Sequence, residues 1–321
     1  MLSTPLLPPD GEPGRMTRTM LAPFDGSEGS RAALAYAAEL ATDDRLLALH
    51  VVEPLPGGPD ARGEGEEGAK GRYERAFEAA RDRLAESRAI AGGSAGGFDA
   101  EFHYGHPLHE LLLAVDRYVA EEVVMGAHGR DGAGELGSLT GSVVRRSPVP
   151  VTVVRRNGGD GNANGGLPGS VLVPFDGSEP ARDALGYALE RFPGATVTAL
   201  FADYPATGDA EHLGPGGDRS TAFEDWYGEV REWHGLADRD PERVLGIAEE
   251  VATEADRQGD LRTATEAGDP RRVVLERAGR EADHVVLGSH GHARDGVARR
   301  LLGSLAASVV RRSPVSVTVV R

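Results

Sequence analysis

The chain contains no cysteine. Disulfides, thiolate metal sites and cysteine nucleophiles are therefore excluded from any account of it. Lysine is almost absent too: Lys70 stands alone, and every other basic residue is arginine. With 51 acidic against 35 basic residues, the formal charge is -16. A surface of that sign argues against general nucleic-acid binding, which requires clustered positive charge. No apolar run approaches the ~20 residues of a membrane span. The Pro- and Gly-rich N-terminus lacks the apolar core of a signal peptide, so a cytoplasmic protein without membrane contact is expected. Met16 lies just before the first strand pattern, and residues 1–16 are expected to form a disordered tail.

What is present is an internal repeat. Pro23-Phe24-Asp25-Gly26-Ser27-Glu28 recurs as Pro174-Phe175-Asp176-Gly177-Ser178-Glu179, an offset of 151. Gly126 recurs as Gly288, an offset of 162. Val143-Val144-Arg145-Arg146-Ser147-Pro148-Val149 recurs as Val309-Val310-Arg311-Arg312-Ser313-Pro314-Val315, an offset of 166. Three blocks in one order make a duplication. At 321 residues with 40% hydrophobic content, the chain holds about two domains with packed cores. The expected division is 17–156, a flexible Asn/Gly-rich linker over 157–169, and 170–321.

Within each copy, short apolar runs alternate with helical periodicity. In the first, strands are expected at Met20–Phe24, Leu46–Val52, Phe98–Tyr104, Val123–Met125 and Val149–Val154. Helices are expected between them, the third beginning at Pro107 with Leu108, Leu111, Leu112, Val115 and Val119 on its buried face. Residues 54–71 read as a loop. The second copy follows the same order. Phe223, Trp226, Tyr227, Val230 and Trp233 add aromatic bulk at helical spacing, which favours packing over base stacking. This alternation implies mainly parallel, doubly wound sheets with helices on both faces, and ligand sites beyond the carboxyl ends of the strands.

Two strand-to-helix connections at that edge carry chemistry. Val123-Val124-Met125-Gly126-Ala127-His128-Gly129 leads to Gly137-Ser138, and Val285-Val286-Leu287-Gly288-Ser289-His290-Gly291 leads to Gly303-Ser304. Each reads as a buried strand, a glycine-rich loop and a helix N-terminus, whose unpaired N–H groups and partial positive charge suit phosphate.

Together, the Asp-Gly-Ser turn, the Gly-Ala/Ser-His-Gly loop, the Gly-Ser pair and the Ser-Pro-Val before the last strand resemble the universal stress protein family, across both halves. The resemblance implies two tandem Rossmann-like domains of the adenine nucleotide alpha-hydrolase type, each with a five-stranded parallel sheet. It further implies an ATP-binding pattern Gly-x2-Gly-x9-Gly-Ser/Thr, with Mg possible alongside the nucleotide. An Asp ending the first strand and the backbone of the second hold the nucleoside. Carried over, the first domain offers Asp25, Val51, Gly126, Gly129, Gly137 and Ser138. The second offers Asp176, Phe201, Gly288, Gly291, Gly303 and Ser304. Both depart from the pattern: seven residues separate Gly129 from Gly137, and eleven separate Gly291 from Gly303. The two sites are thus not equivalent, and the first is expected to be the better binder. Phe201 stands where a small aliphatic residue is usual. The family also joins domains through its last strand, so an intrachain pseudo-dimer is expected, with further homo-oligomerisation and protein partners left open.

Other constellations favour modest roles. His103, His106 and His109 are spaced like metal ligands but lack a partner to complete a site. His128 and His290 either touch a phosphate or support their loops, the second being favoured. Arg145-Arg146 and Arg311-Arg312 either steer anions or complement helix C-termini, the second being favoured. No catalytic residue or metal site is assigned. The expected function is a stress-response protein that binds adenine nucleotide (ATP or AMP) as a sensor or regulatory module with little turnover. The alternatives are a non-nucleotide interaction scaffold of paired domains, and a slow ATP hydrolase.

Overall fold

The computed structural model describes residues 18–54, 66–93, 96–128, 136–155, 166–203, 240–290 and 302–321, with the side chains of 66–70 excepted. The expected tail, most of the linker, the aromatic stretch around Trp226, Gly129 and Gly291 lie outside the described residues. The first half runs β1 (Thr19–Pro23), α1 (Glu28–Leu40), β2 (Arg45–Val52), α2 (Glu66–Ala91), β3 (Phe98–Tyr104), α3 (Pro107–Arg117), β4 (Ala120–Gly126), α4 (Ser138–Arg146) and β5 (Val151–Val154). The second runs β6 (Ser170–Pro174), α5 (Glu179–Arg191), β7 (Thr196–Asp203), α6 (Pro241–Glu254), β8 (Leu261–Ala267), α7 (Pro270–Glu281), β9 (His284–Gly288), α8 (Ser304–Arg312) and β10 (Ser316–Val320).

Local chemistry explains the helix starts. Ser27 caps α1 by accepting from the Ser30 N–H, and Asp240 and Asp269 cap α6 and α7 in the same manner. Proline opens α3, α6 and α7, where its missing N–H costs nothing. Two expectations are corrected. The loop over 54–71 is helical from Glu66 onward. Val119 is not on a buried helix face: α3 ends at Arg117, and Val119 follows at a φ of 50° with 75% of its surface exposed.

The strands form one sheet in the order β3-β2-β1-β4-β5-β10-β9-β6-β7-β8. Each half is parallel throughout, and the halves meet where β5 and β10 pair antiparallel, Val151 to Val319, Thr152 to Thr318 and Val153 to Val317. Two five-stranded sheets thus become one of ten strands. Every residue of β5 and of β10 is buried. A strand buried on both faces is a poor sheet edge, and the pairing removes both edges at once. One core layer lies under α1, α2, α5 and α6, with Leu34, Ala37, Leu185 and Phe192. The other lies under α3, α4, α7 and α8, with Leu111, Val143, Val274 and Val309. Both layers run through both halves. Strand order reverses between β1 and β4 and between β6 and β9, which opens a crevice at the carboxyl ends there.

Candidate functional site

The Asp-Gly-Ser turns come first in each crevice. The Asp25 carboxylate accepts from the Ser27 N–H at 2.9 Å, and the Asp176 carboxylate accepts from the Ser178 N–H at 3.0 Å. This ties the turn to the helix start that follows it. Gly26 and Gly177 sit at φ of 74° and 77°, a region closed to most side chains.

The glycines that end β4 and β9 serve packing before anything else. A Cβ on Gly126 would lie 2.6 Å from the Gly29 carbonyl carbon, and one on Gly288 would lie 2.6 Å from the Pro180 oxygen. Strand end and helix N-terminus therefore touch backbone to backbone. The loops that leave these strands are closed at their base. The Gly137 N–H donates to the Ala127 oxygen at 2.8 Å, and the Gly303 N–H to the Ser289 oxygen at 2.7 Å. Gly137 and Gly303 are thus helix caps without a capping side chain, and Ser138 and Ser304 are exposed at the first helical position.

In the second half these parts enclose a cavity of about 580 Å³. Asp176, Phe201, Gly288, Gly303 and Ser304 all line it, so every described residue expected in that half is brought to one place. Sequence reasoning missed Ala202, Asp203, Asp269 and Arg271, which line it as well, together with His290 of the glycine loop. A signal for Asp269 existed in Gly268-Asp269-Pro270, which reads as a helix start. Its carboxylate indeed caps α7, accepting from the Arg271 and Arg272 N–H groups at 2.9 and 3.1 Å. Nothing local pointed to Asp203 or Arg271.

The strand register fixes how the two second strands correspond. Pro23 lies opposite Leu49 and Pro174 opposite Leu200. Val51 therefore corresponds to Ala202, and Phe201 corresponds to His50. A shift of one residue in a strand moves a side chain to the other face. Phe201 belongs to the core layer with Phe175 and Val244, while Ala202 packs with the opposite layer, as Val51 does. Ala202, a small residue, thus stands in the second half where Val51 stands in the first.

Asp25, Val51, Gly126, Gly137 and Ser138 occupy the matching positions of the first half, with bulkier surroundings. Val51 replaces Ala202, Val52 replaces Asp203, and Thr140 replaces Ala306, donating its hydroxyl to the Gly126 oxygen at 2.9 Å. Gly126 is buried, whereas Gly288 is partly exposed. The cavity described above is the second half's.

The donor set suits a nucleotide. Carboxylates of Asp176, Asp203 and Asp269 can accept from hydroxyls or amines. Leu200, Ala202, Val274 and Leu287 give apolar walls, and Arg271 with the N-terminus of α8 offers positive charge. The volume falls within the range of about 300–1,000 Å³ usual for ligand sites. Among the described residues, no group of three His, Cys, Asp or Glu side chains is placed to hold a metal ion. His103 is engaged elsewhere, its ring nitrogens lying 3.1 Å from Glu110 Oε2 and 3.1 Å from the Tyr118 hydroxyl. Burial, reinforced by the Glu101 carboxylate, pushes the Tyr118 phenol up to about 12. His290 Nδ1 meets the Ser289 hydroxyl at 2.9 Å, a contact within the loop base.

Comparison with known proteins gives the family and the fold. The model of the universal stress protein family matches residues 16–155 and again 169–321. A Thermus aquaticus universal stress protein is 38% identical over 146 residues, covering 44% of this chain and 100% of that protein. A Mycobacterium tuberculosis universal stress protein is 30% identical over 211 residues, covering 63% of this chain and 62% of its own length. Among solved structures, a universal stress protein from Archaeoglobus fulgidus superposes with a TM-score of 0.60 at 23% identity, covering 94% of this chain and 96% of that one. That likeness speaks for the fold. Among the described residues, no helix is long and apolar enough to cross a membrane.

Proposed function

The chain belongs to the universal stress protein family, and on that footing we propose that it binds adenine nucleotide in its second half, as a regulatory or sensor module of a stress response with little turnover. The observation that carries this reading is the cavity at the carboxyl ends of β6, β7 and β9, where Asp176, Ala202 and Ser304 converge. In this reading Asp176 and Asp203 accept from ribose hydroxyls, and the β7 backbone beside Ala202 meets the base. The N–H groups at the start of α8, with the Ser304 hydroxyl, meet the phosphates. ATP is the expected ligand. The three aspartates lining the site are separate acceptors, so any Mg²⁺ arrives with the phosphates.

Calorimetric titration with ATP tests this. One binding event per chain is expected, lost in Ala202→Trp, which fills the cavity, and kept in Val51→Trp, with circular dichroism confirming the fold of both. No heat at millimolar ATP would remove the reading and leave the paired-domain scaffold, which the altered loop lengths favour. Binding abolished by Val51→Trp alone would move the site to the first half.

A further inference from the structure

The cavity in the second half continues past α8. A second cavity of about 550 Å³ shares Asp269, Arg271 and Ser304 with it and runs on between α7 and α8. Its walls carry Arg271 and Arg272 from α7 and Arg311 and Arg312 from α8, against the acidic Asp269 and Glu276. Four arginines around one groove are a local reversal of sign on a chain of charge -16.

The helix geometry aims them. Ser304, Ala307, Ser308 and Arg311 follow one another at helical spacing and share one face of α8. Ala307 and Ser308 are small, which leaves the groove floor open between Ser304 and Arg311. With a rise of about 1.5 Å per residue, Arg311 lies roughly 10 Å along the axis from Ser304. Helical Cα–Cβ bonds tilt toward the N-terminus, so those of Arg311 and Arg312 tilt toward the Ser304 end. Arg272 is held 3.2 Å from Glu276. Among the described residues, Arg271, Arg311 and Arg312 form no side-chain ion pair.

The first half serves as an internal control. Pro107 and Pro270 open the matching helices, so Leu108, His109, Leu112 and Leu113 stand where the second half has Arg271, Arg272, Leu275 and Glu276. Arg145, the counterpart of Arg311, is turned back on its own helix, 3.4 Å from the Ser142 hydroxyl. Helix C-terminal charge is common to both halves, but the four-arginine groove belongs to the second.

We propose that this groove holds the continuation of a phosphate chain that starts in the cavity, so the site selects an adenosine oligophosphate of four or more phosphates over AMP and ATP. The proposal rests on the nucleotide reading given above. Two sources share this chemistry, a nucleoside tetraphosphate and two adenosines joined by four phosphates, and the test separates them.

The full-length protein is titrated calorimetrically with AMP, ATP, adenosine 5′-tetraphosphate, diadenosine tetraphosphate and inorganic tripolyphosphate. A gain in affinity of about tenfold from ATP to the tetraphosphates is expected, smaller at high salt. The pair Arg311→Gln with Arg312→Gln should erase that gain and leave AMP binding unchanged. Glu276→Gln, which removes a negative charge from the groove, should enlarge it. The better of the two tetraphosphates identifies the source. Equal affinity for ATP and both tetraphosphates, or a gain that survives the double arginine variant, overturns the proposal while the nucleotide reading stands. If no nucleotide binds but tripolyphosphate does, and the arginine variant loses it, the nucleotide reading fails and the groove remains an oligophosphate site. If neither binds, both fail.

Discussion

Thr152 and Thr318 stand 2.7 Å apart, hydroxyl to hydroxyl, at the point where β5 and β10 pair. They are the same residue of the repeat, so they mark its pseudo-two-fold axis. The bonds around them are not symmetric. Thr152 donates to Glu122 Oε1 at 2.8 Å, and Thr318 Oγ1 meets His284 Nε2 at 2.8 Å. Glu122 and His284 are themselves matching positions, a carboxylate in one half and an imidazole in the other. An ionised carboxylate only accepts, which sets the direction of the chain. Thr318 donates to Thr152, His284 donates through Nε2 to Thr318, and the Tyr36 hydroxyl donates to His284 Nδ1 at 3.3 Å. The two halves are therefore complementary at the axis rather than alike.

Thr318→Val breaks this chain at its centre. It leaves the His284 N–H buried without an acceptor and takes away the contact to Thr152. A loss of about 1–3 kcal/mol in urea unfolding is expected. A change within experimental error would show that the chain contributes nothing to docking.

Acid should weaken the protein through His284. Burial holds its pKa at about 3, against a tendency of Asp283 to raise it. The folded state keeps the ring neutral, whereas the unfolded state takes a proton below its ordinary pKa of about 6.5. The stability contribution is thus complete above that value and is lost as pH falls toward about 3, with a slope of about 1.4 kcal/mol per pH unit. Unfolding measured between neutral and acid pH should be steeper in the wild type than in His284→Gln by one proton. Equal slopes would refute it.

Arg191 joins the halves by ion pairs, 2.6 Å from Asp44 and 3.2 Å from Glu122, with its side chain 10% exposed. Arg191→Ala strands two carboxylates and should cost about 3–5 kcal/mol. Adding Glu122→Gln to it should recover part of the loss, because one uncompensated charge then disappears. Thermal unfolding of the single and double variants checks both signs.

Each half caps the other's last helix. Arg155, just after β5, donates to the carbonyls of Val310 and Arg311 at 2.6 and 2.8 Å, and Arg321, just after β10, donates to the Val144 carbonyl at 2.5 Å. Burial lowers the pKa of both guanidinium groups. Charged donors on helix C-termini are worth about 1–2 kcal/mol each. Arg155→Ala and Arg321→Ala should each destabilise by that amount and add in the double variant. Variants no less stable than the wild type would mean that water replaces these caps.

Gly126→Ala and Gly288→Ala should fail as selective ligand-site variants. Each new methyl group meets backbone atoms at 2.6 Å, an overpacking that costs about 1–3 kcal/mol. Denaturation midpoints should fall with or without nucleotide present. Unchanged midpoints with lost binding would return these glycines to a purely ligand role.

Much of the fold was legible because its signals are local. Asp-Gly-Ser announced turns whose glycines take positive φ, Pro107 and Pro270 announced helix starts, and the apolar runs announced strands to within three residues. Gly288, Gly303 and Ser304 were legible as a strand-to-helix loop, Asp176 was added by the family resemblance, and the four line one cavity. Ala202 was missed for Phe201 because register is decided by the neighbouring strand. Asp203 and Arg271 were missed because they meet the cavity only once β7 and α7 lie side by side.

The sequence by itself determined the duplication, the strand–helix alternation and the residue types at each strand-to-helix loop, since turn chemistry and periodicity act over a few residues. The tertiary structure alone decided which residues converge on the second half's cavity, which arginine caps which helix, and that Glu122 and His284 share one hydrogen-bonded axis. Those outcomes depend on the approach of residues more than a hundred positions apart. Such approach is set by the burial of two apolar strand edges, and no local pattern records it.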